Sequence, residues 1–261
     1  MQVRVDDKVV LVTGAAQGVG RAVALEAARS GAAAVILTDR NTQGGDEVAS
    51  EILKLGAKTT FIAADLKEQD APGRVISAAI DQFGALDGLV NAAGLSDRGS
   101  VAEADTALFD HLFAVNTRAP MFLMQGLIRH LKERKAPGSI VNILSFQAHG
   151  GSVNLAIYGA TKAALALLTK NAAFAHRVDR IRICGINLGW TDTPGEREMQ
   201  AIKLGRGESW MAAAESRMPW GRLIRPEDVA RLTLFLVSDA SIPMTGALID
   251  QDQYSVLGVR E

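Results

Sequence analysis

The sequence predicts an α/β chain built on a doubly wound parallel sheet with helices on both faces. Three observations carry that expectation. Short apolar, β-branched runs recur along the whole chain, segments of helical length separate them, and no linker or low-complexity tract divides the 261 residues. Strands alternating with helices read as βαβ units with right-handed crossovers, and counting the runs gives about seven strands.

The elements follow in order. Lys8–Thr13 reads as a buried strand, Gly14–Gly20 as a glycine-rich turn, and Val19–Arg29 as a helix that Gly31 stops. Val35–Thr38 is a second strand ending at Asp39, followed by a helix over 44–55 and a strand over 59–63 that leads to Asp65. A helix over 71–83 precedes the strand Leu86–Val90, which ends at Asn91; a long helix follows Thr106. The strand Ser139–Leu144 ends at Ser145, a second long helix covers 156–178, and Ile181–Ile186 is the sixth strand. A helix over 226–237 and a strand over 247–250 close the chain.

The rhythm fails between Gly189 and Trp220. That stretch holds Pro194, Gly195, Gly205, Gly207, Pro219 and all three tryptophans, Trp190, Trp210 and Trp220. A long insertion of this kind in a compact domain is expected to be a lid, here over about residues 190–221 of a single domain spanning 1–261.

Bulk properties narrow the function classes. Hydrophobic residues make up 48% and charged residues 22%, ordinary values for a globular protein long enough to bury its own core. A formal net charge of −1 gives no broad field for nucleic acid or an anionic membrane. The single cysteine, Cys184, allows no internal disulfide and sits in an apolar run that reads as core. The first residues lack the apolar stretch of a signal peptide, and no apolar run is long enough to span a membrane. A cytoplasmic setting is therefore expected. His111, His130, His149 and His176 form no metal-ligand cluster with cysteines or carboxylates, so no catalytic metal is expected.

The glycine turn Thr13-Gly14-Ala15-Ala16-Gln17-Gly18-Val19-Gly20 follows the first strand and opens the first helix. Glycines there admit a pyrophosphate close to the backbone, and the helix N-terminus offers N–H donors. Asp39 ends the next strand, placed to bond a ribose 2′-hydroxyl and to repel the 2′-phosphate of NADP. The pattern is that of a Rossmann-type nucleotide fold with NAD as the expected cofactor. Arg40, next in sequence, could contact a phosphate instead.

Tyr158 and Lys162 are four residues apart and share one helix face, while Ser145 ends the preceding strand. Alcohol oxidation needs a base at the hydroxyl as hydride leaves carbon. Tyrosine, with a pKa near 10, is a poor base at neutral pH. An ammonium at ~4 Å in an effective dielectric of ~20 attracts a tyrosinate by about 4 kcal/mol, roughly 3 pKa units as an upper guide. Ser145 can hold the substrate oxygen.

In this order the glycine turn, Asp65, Asn91-Ala92-Ala93-Gly94, Asn116, Ser145 and Tyr158-x-x-x-Lys162 resemble the short-chain dehydrogenase/reductase family, in its single-domain group, over nearly the whole chain. The resemblance implies Tyr158 as acid/base, Lys162 tuning it and binding the nicotinamide ribose, and Ser145 orienting the substrate. It implies Asn116 holding a water in a proton relay from Lys162. It implies Asp65 and Leu66 at the adenine, Asn91 to Gly94 along the cofactor cleft, and Thr191 at the carboxamide. The long helices around 108–132 and 156–178 are implied to pair between subunits, giving a homotetramer or dimer.

Two departures stand out: Leu188-Gly189 where the family has Pro-Gly, and Asp252-Gln253-Tyr254 where it has Asp-Gly-Gly. The first only loosens a turn; the second bears on substrate and C-terminal packing. For the substrate end, Gln147 and His149 are candidate contacts in the loop after Ser145, with Trp190 and Trp220 as pocket walls. Glu196 and Arg197 could add polar contacts, although Glu196-Arg197-Glu198 also reads as a solvated face. The expected activity is hydride transfer between NAD and a secondary alcohol or carbonyl on a sugar- or polyol-like molecule. An NADPH-dependent ketone or acyl-carrier reductase is the alternative, against which Asp39 weighs. A non-catalytic nucleotide-binding protein or a methyltransferase would not need Ser145, Tyr158 and Lys162 together.

Overall fold

The computed structural model describes residues 3–254; residues 1–2 and 255–261 lie outside the described part. Seven parallel strands form one sheet in the order β3-β2-β1-β4-β5-β6-β7. They are β1 (Val9–Thr13), β2 (Ala34–Asp39), β3 (Lys58–Ala63), β4 (Gly88–Asn91), β5 (Gly138–Ile143), β6 (Ile181–Leu188) and β7 (Leu248–Gln251). The chain winds outward from β1 in one direction and then restarts beside it with β4, so the strand order reverses between β1 and β4. Ligands of such sheets bind beyond the carboxyl ends at that point.

Alternation along the strands feeds two cores. Val10 and Val12 of β1 face the layer of α1 (Gly18–Arg29), α2 (Thr42–Lys54) and α9 (Pro226–Val237). Val9 and Leu11 face the layer of α3 (Ala71–Phe83), α5 (Ala119–Arg134) and α6 (Ala156–Ala175). Because both faces are covered, the inner strands β1, β2, β4, β5 and β6 are largely buried and apolar on both sides, the composition that made them legible, whereas the edge strands β3 and β7 are partly exposed. Cys184 is buried in the first core, and burial pushes its thiol up, as a packing residue requires.

The structure changes two expected elements. The helix after Thr106 is not continuous. It runs as α4 (Thr106–Phe113), opens into a π-helical turn over Ala114–Arg118, and resumes as α5. Pro120 has no N–H to give the carbonyl of Asn116 four residues back, so the α-helical register cannot pass through that point. The second long helix ends at Ala175 rather than 178; His176 caps it and its Nδ1 meets Asp179 at 2.9 Å in the turn that follows.

The insertion is partly helical. It holds α7 (Pro194–Glu198), a π-helical turn over Met199–Lys203, and α8 (Trp210–Glu215). Its two ends are pinned side by side: the Ile224 amide donates to the Trp190 carbonyl at 3.0 Å and the Asp192 amide to the Ile224 carbonyl at 2.8 Å. Trp210, Ala214, Met218 and Leu223 form a small core of their own, onto which Trp190 and Tyr254 pack. The unusual C-terminal segment serves this unit. The Gln253 side chain donates to the Arg222 carbonyl at 2.7 Å and accepts from the Trp220 amide at 3.0 Å, and the Tyr254 hydroxyl donates to the Arg217 carbonyl at 2.8 Å.

Among the described residues no helix is long and apolar enough to cross a membrane, and no cluster of three His, Cys, Asp or Glu is placed to hold a metal.

Because the insertion has its own core, Trp210→Ala should loosen it without unfolding the sheet. Limited trypsin digestion within 197–222 is expected to speed up at least ~10-fold while the main thermal transition stays in place. A matching collapse of the main transition would show that the insertion is not an independent unit.

Candidate active site

The first half of the site is built where β1 and β4 part. Gly14 has φ +65, and a Cβ there would lie 2.7 Å from the Ala93 Cα, so only glycine lets the two backbones touch. A Cβ on Gly20 would sit 2.1 Å from the Gly14 carbonyl oxygen, which brings α1 hard against the turn. The buried Thr13 hydroxyl accepts from the amides of Ala92 and Ala93 at 3.1 and 3.0 Å, locking the Asn91–Gly94 segment to the turn. Gln17 enters α1 in an extended conformation with no side-chain cap, so the first amides of the helix open on the cleft.

The Asp39 carboxylate accepts from the Ala16 amide at 3.1 Å and the Asn41 amide at 2.9 Å, which fixes it at the rim of the same recess. Burial works against ionisation of Asp65, but the Lys67 amide at 3.0 Å and ammonium at 3.2 Å win and hold its carboxyl below the usual range. Gly14, Gln17, Asp39, Arg40, Asp65 and Leu66 line one continuous recess with Gly18, Val19, Gly20, Ala92 and Gly94. A cradle that a Cβ would fill, open helix amides and a fixed carboxylate next to a strand end fit a dinucleotide, for which the turn would hold the diphosphate, Asp39 the ribose, and Asp65 and Leu66 the adenine end. Asn91 itself is buried behind the cleft, its Nδ2 donating to Asn142 Oδ1 at 2.8 Å.

The second half adjoins the first through Gly94, Thr193 and Glu196, and Ser145, Tyr158 and Lys162 all line it. Ser145 leaves β5 in an extended conformation and accepts from the Gln147 amide at 3.1 Å, which starts a 3-10 turn over Phe146–His149. Lys162 is buried and donates to the Ile143 carbonyl at 2.9 Å; burial lowers its pKa to about 8. Its Nζ stands 5.9 Å from the Tyr158 ring centroid.

The electrostatics correct the simple picture of a tyrosine tuned by lysine alone. Burial pushes the Tyr158 hydroxyl above its ordinary value, a hydrogen bond with Ser145 pulls it down, the Glu196 charge pushes it up and the Arg98 charge pulls it down. Lys162 leans on the Ile143 carbonyl rather than on the phenol, so the ~4 Å pairing assumed from helical spacing overstates its pull.

Asn116, in the π-helical turn, is fully buried. Its Oδ1 accepts from the Leu95 amide at 2.8 Å, and its Nδ2 donates to the Leu95 carbonyl at 2.8 Å and to Thr161 Oγ1 at 3.1 Å. A Cβ on Gly94 would lie 3.3 Å from Lys162 Nζ and 3.5 Å from Asn116 Oδ1, so both side chains flank the same glycine.

The substrate end differs most from the sequence expectation. Gln147, Trp190 and Thr191 line it; Thr191 Oγ1 donates to the Gly189 carbonyl at 3.0 Å. His149 does not line this recess: its ring contacts Asp250 at 3.1 Å and Asn187 at 3.3 Å, tying the 3-10 turn to β6 and β7. Trp220 is 78% exposed and lines neither half of the recess; Trp210 instead packs on Trp190 with centroids 6.0 Å apart. The run Glu196-Arg197-Glu198 divides. Arg197 faces solvent and pairs with Asp192, whereas Glu196 turns inward and its Oε1 accepts from Trp190 Nε1 at 2.8 Å and Gln200 Nε2 at 2.6 Å. Arg98 and Gln200 were not anticipated. Arg98 had one signal, its place just past Gly94 beyond the carboxyl end of a strand.

The family model described as enoyl-(acyl carrier protein) reductase matches residues 14–253. Cis-4-hydroxycyclohexanecarboxylate dehydrogenase of Sinomonas cyclohexanicum is 32% identical over 94% of this chain and 95% of its own length. L-rhamnose 1-dehydrogenase (NAD(P)(+)) of Azotobacter vinelandii is 34% identical over 92% and 93%. The crystal structure of a short-chain type dehydrogenase/reductase from Mycobacterium marinum superposes with a TM-score of 0.87 at 28% identity, covering 97% of this chain and 96% of that one.

The buried lysine predicts a pH signature. Its folded pKa of about 8 lies below the ordinary lysine value of 10.5, so the unfolded chain holds more protons between those values and stability rises with pH across that window. Chemical denaturation of wild type against Lys162→Met should show the wild type gaining up to about 3 kcal/mol relative to the variant from pH 8 to 10.5. Parallel pH profiles would contradict the buried ammonium.

Proposed function

The chain belongs to the short-chain dehydrogenase/reductase family and is an NAD(P)-dependent oxidoreductase; on that premise we propose that it interconverts a secondary alcohol and its carbonyl on a small ring- or polyol-like molecule, with NAD as cofactor and Tyr158 as acid/base. The observation that carries the reading is the convergence of Ser145, Tyr158 and Lys162 on one recess that continues into the glycine-turn cleft. Two relatives named for a cyclic hydroxy acid and a sugar support a hydroxylated ring as the substrate class.

When bound, a nicotinamide would supply or accept the hydride; the protein handles the proton. The substrate hydroxyl sits between the Ser145 and Tyr158 hydroxyls, and Tyr158 accepts its proton in the oxidation direction. Ser145 and Arg98 oppose the burial that keeps the phenol protonated. Lys162, still cationic at neutral pH, would hold the ribose side; in the relay it gives one ammonium proton to a water held at Asn116, which flanks the same glycine, and is reprotonated with the proton that Tyr158 has taken from the substrate. Asp39 supports NAD over NADP because both its oxygens are held by backbone amides and cannot swing away from a 2′-phosphate. Residues 190–221 act as a lid, with Trp190 and Glu196 as the part that meets substrate. Exposed Phe122 on α5 and Leu167 and Phe174 on α6 supply an apolar face for pairing between subunits.

Cofactor reduction by a panel of polyols, sugars and hydroxy acids tests the chemistry. Tyr158→Phe should cut kcat by ~10²–10⁴ with little change in melting temperature; turnover equal to wild type would end the assignment. NAD should be preferred over NADP by at least ~10²-fold in kcat/KM, and Asp39→Ala should erase most of that preference. A wild type that prefers NADP would overturn the cofactor choice.

A further inference from the structure

Arg98 stands out as a charge without a full set of partners. Its side chain is only 20% exposed, and it forms no hydrogen bond among the described residues. Its one ionic contact is Glu196 Oε1 at 3.5 Å. That oxygen already accepts two shorter bonds, from Gln200 at 2.6 Å and Trp190 at 2.8 Å. Glu196 therefore orients the guanidinium without saturating it. A guanidinium carries five N–H donors in a planar fork, and leaving them unmet in a partly dry recess is costly.

The recess faces the reacting groups. Arg98 and Glu196 line it together with Ser145 and Tyr158, and the Arg98 charge is felt by the phenol. Glu196 is the one carboxylate in that lining, set against Arg98, Lys162 and Arg206. Arg206 donates to Gln200 Oε1 at 2.7 Å and adds a second positive group at the mouth. The excess is positive, and the fork geometry of Arg98 matches a planar anion with two oxygens.

We propose that the substrate is a hydroxy- or oxo-carboxylate, and that Arg98 reads its carboxylate while Ser145 and Tyr158 hold the reacting oxygen. This rests on the dehydrogenase reading above. Arg98 is the specificity-determining residue, and Glu196 is a positioning residue that holds it ready. A neutral sugar would leave the guanidinium fork unmatched; a hydroxy acid fills it.

Matched probes separate the two levels of the account: 4-hydroxycyclohexanecarboxylate against its neutral carboxamide, and 3-hydroxybutyrate against 3-hydroxybutyramide. Wild type should favour the acid over the amide by at least ~30-fold in kcat/KM in one or both pairs. Arg98→Gln should bring the acid-to-amide ratio to within about 3-fold of unity, and Arg98→Lys should restore only part of it, because an ammonium lacks the fork. Each ratio is read within one preparation, so a partly misfolded variant cancels. Wild type that turns over acid and amide equally, or Arg98→Gln that keeps the wild-type ratio, overturns the role of Arg98 while leaving the dehydrogenase reading intact. Wild type that oxidises no member of these pairs and no polyol or sugar overturns both.

Discussion

The site depends on one close approach. At the place where the sheet reverses its winding, the turn after β1 and the segment after β4 come into backbone contact at Gly14 and Ala93. A Cβ at residue 14 would force them apart, and the Thr13 hydroxyl bonds both amides that keep them together. Everything the cleft offers to a dinucleotide hangs on this joint. It aims the open amides of α1, sets Asp39 at one side and places Gly94 against Lys162 and Asn116 on the other. The parallel sheet makes the joint possible, since every strand delivers its carboxyl end to the same edge.

Beyond the joint, the chemistry is a contest of charges around one phenol. Burial favours the protonated tyrosine; Ser145 and Arg98 favour the anion; Glu196 opposes them. Burial brings Lys162 itself down to about 8, near enough to neutral pH for its ammonium to exchange a proton. These groups come from four different segments, and Glu196 and Gln200 belong to the insertion. That segment therefore sets part of the charge that Tyr158 feels and, through Glu196, the orientation of Arg98. On the proposed reading, substrate choice and acid-base tuning share the same side chains.

Much of this was readable in the residues. Fully covered strands are apolar on both faces, so β1, β2 and β5 announce themselves as β-branched runs, and a glycine turn between strand and helix has few structural uses. The residues Ser145, Tyr158 and Lys162 were placed together by strand-end and helix spacing, and the fold brings them to one recess. What spacing could not show was direction. The helix break at Asn116 follows from Pro120 and a buried amide network, which a count of apolar positions ignores. In Glu196-Arg197-Glu198 every residue is charged, so nothing local reveals that Glu196 points in while Arg197 points out; Trp190 and Gln200, met only in three dimensions, decide it. His149 was drawn to the site by its nearness to Ser145, yet Asp250 and Asn187, on strands far away in sequence, hold it elsewhere.

The central claim is that one continuous cleft brings a carbinol carbon against a nicotinamide while Tyr158 takes the hydroxyl proton. Following a deuterium label on the carbinol carbon of a turned-over alcohol tests it most directly. The account predicts that the label moves intact to the reduced nicotinamide ring, with one proton released to solvent per turnover. Deuterium found in water, with hydrogen from solvent on the cofactor, would contradict it.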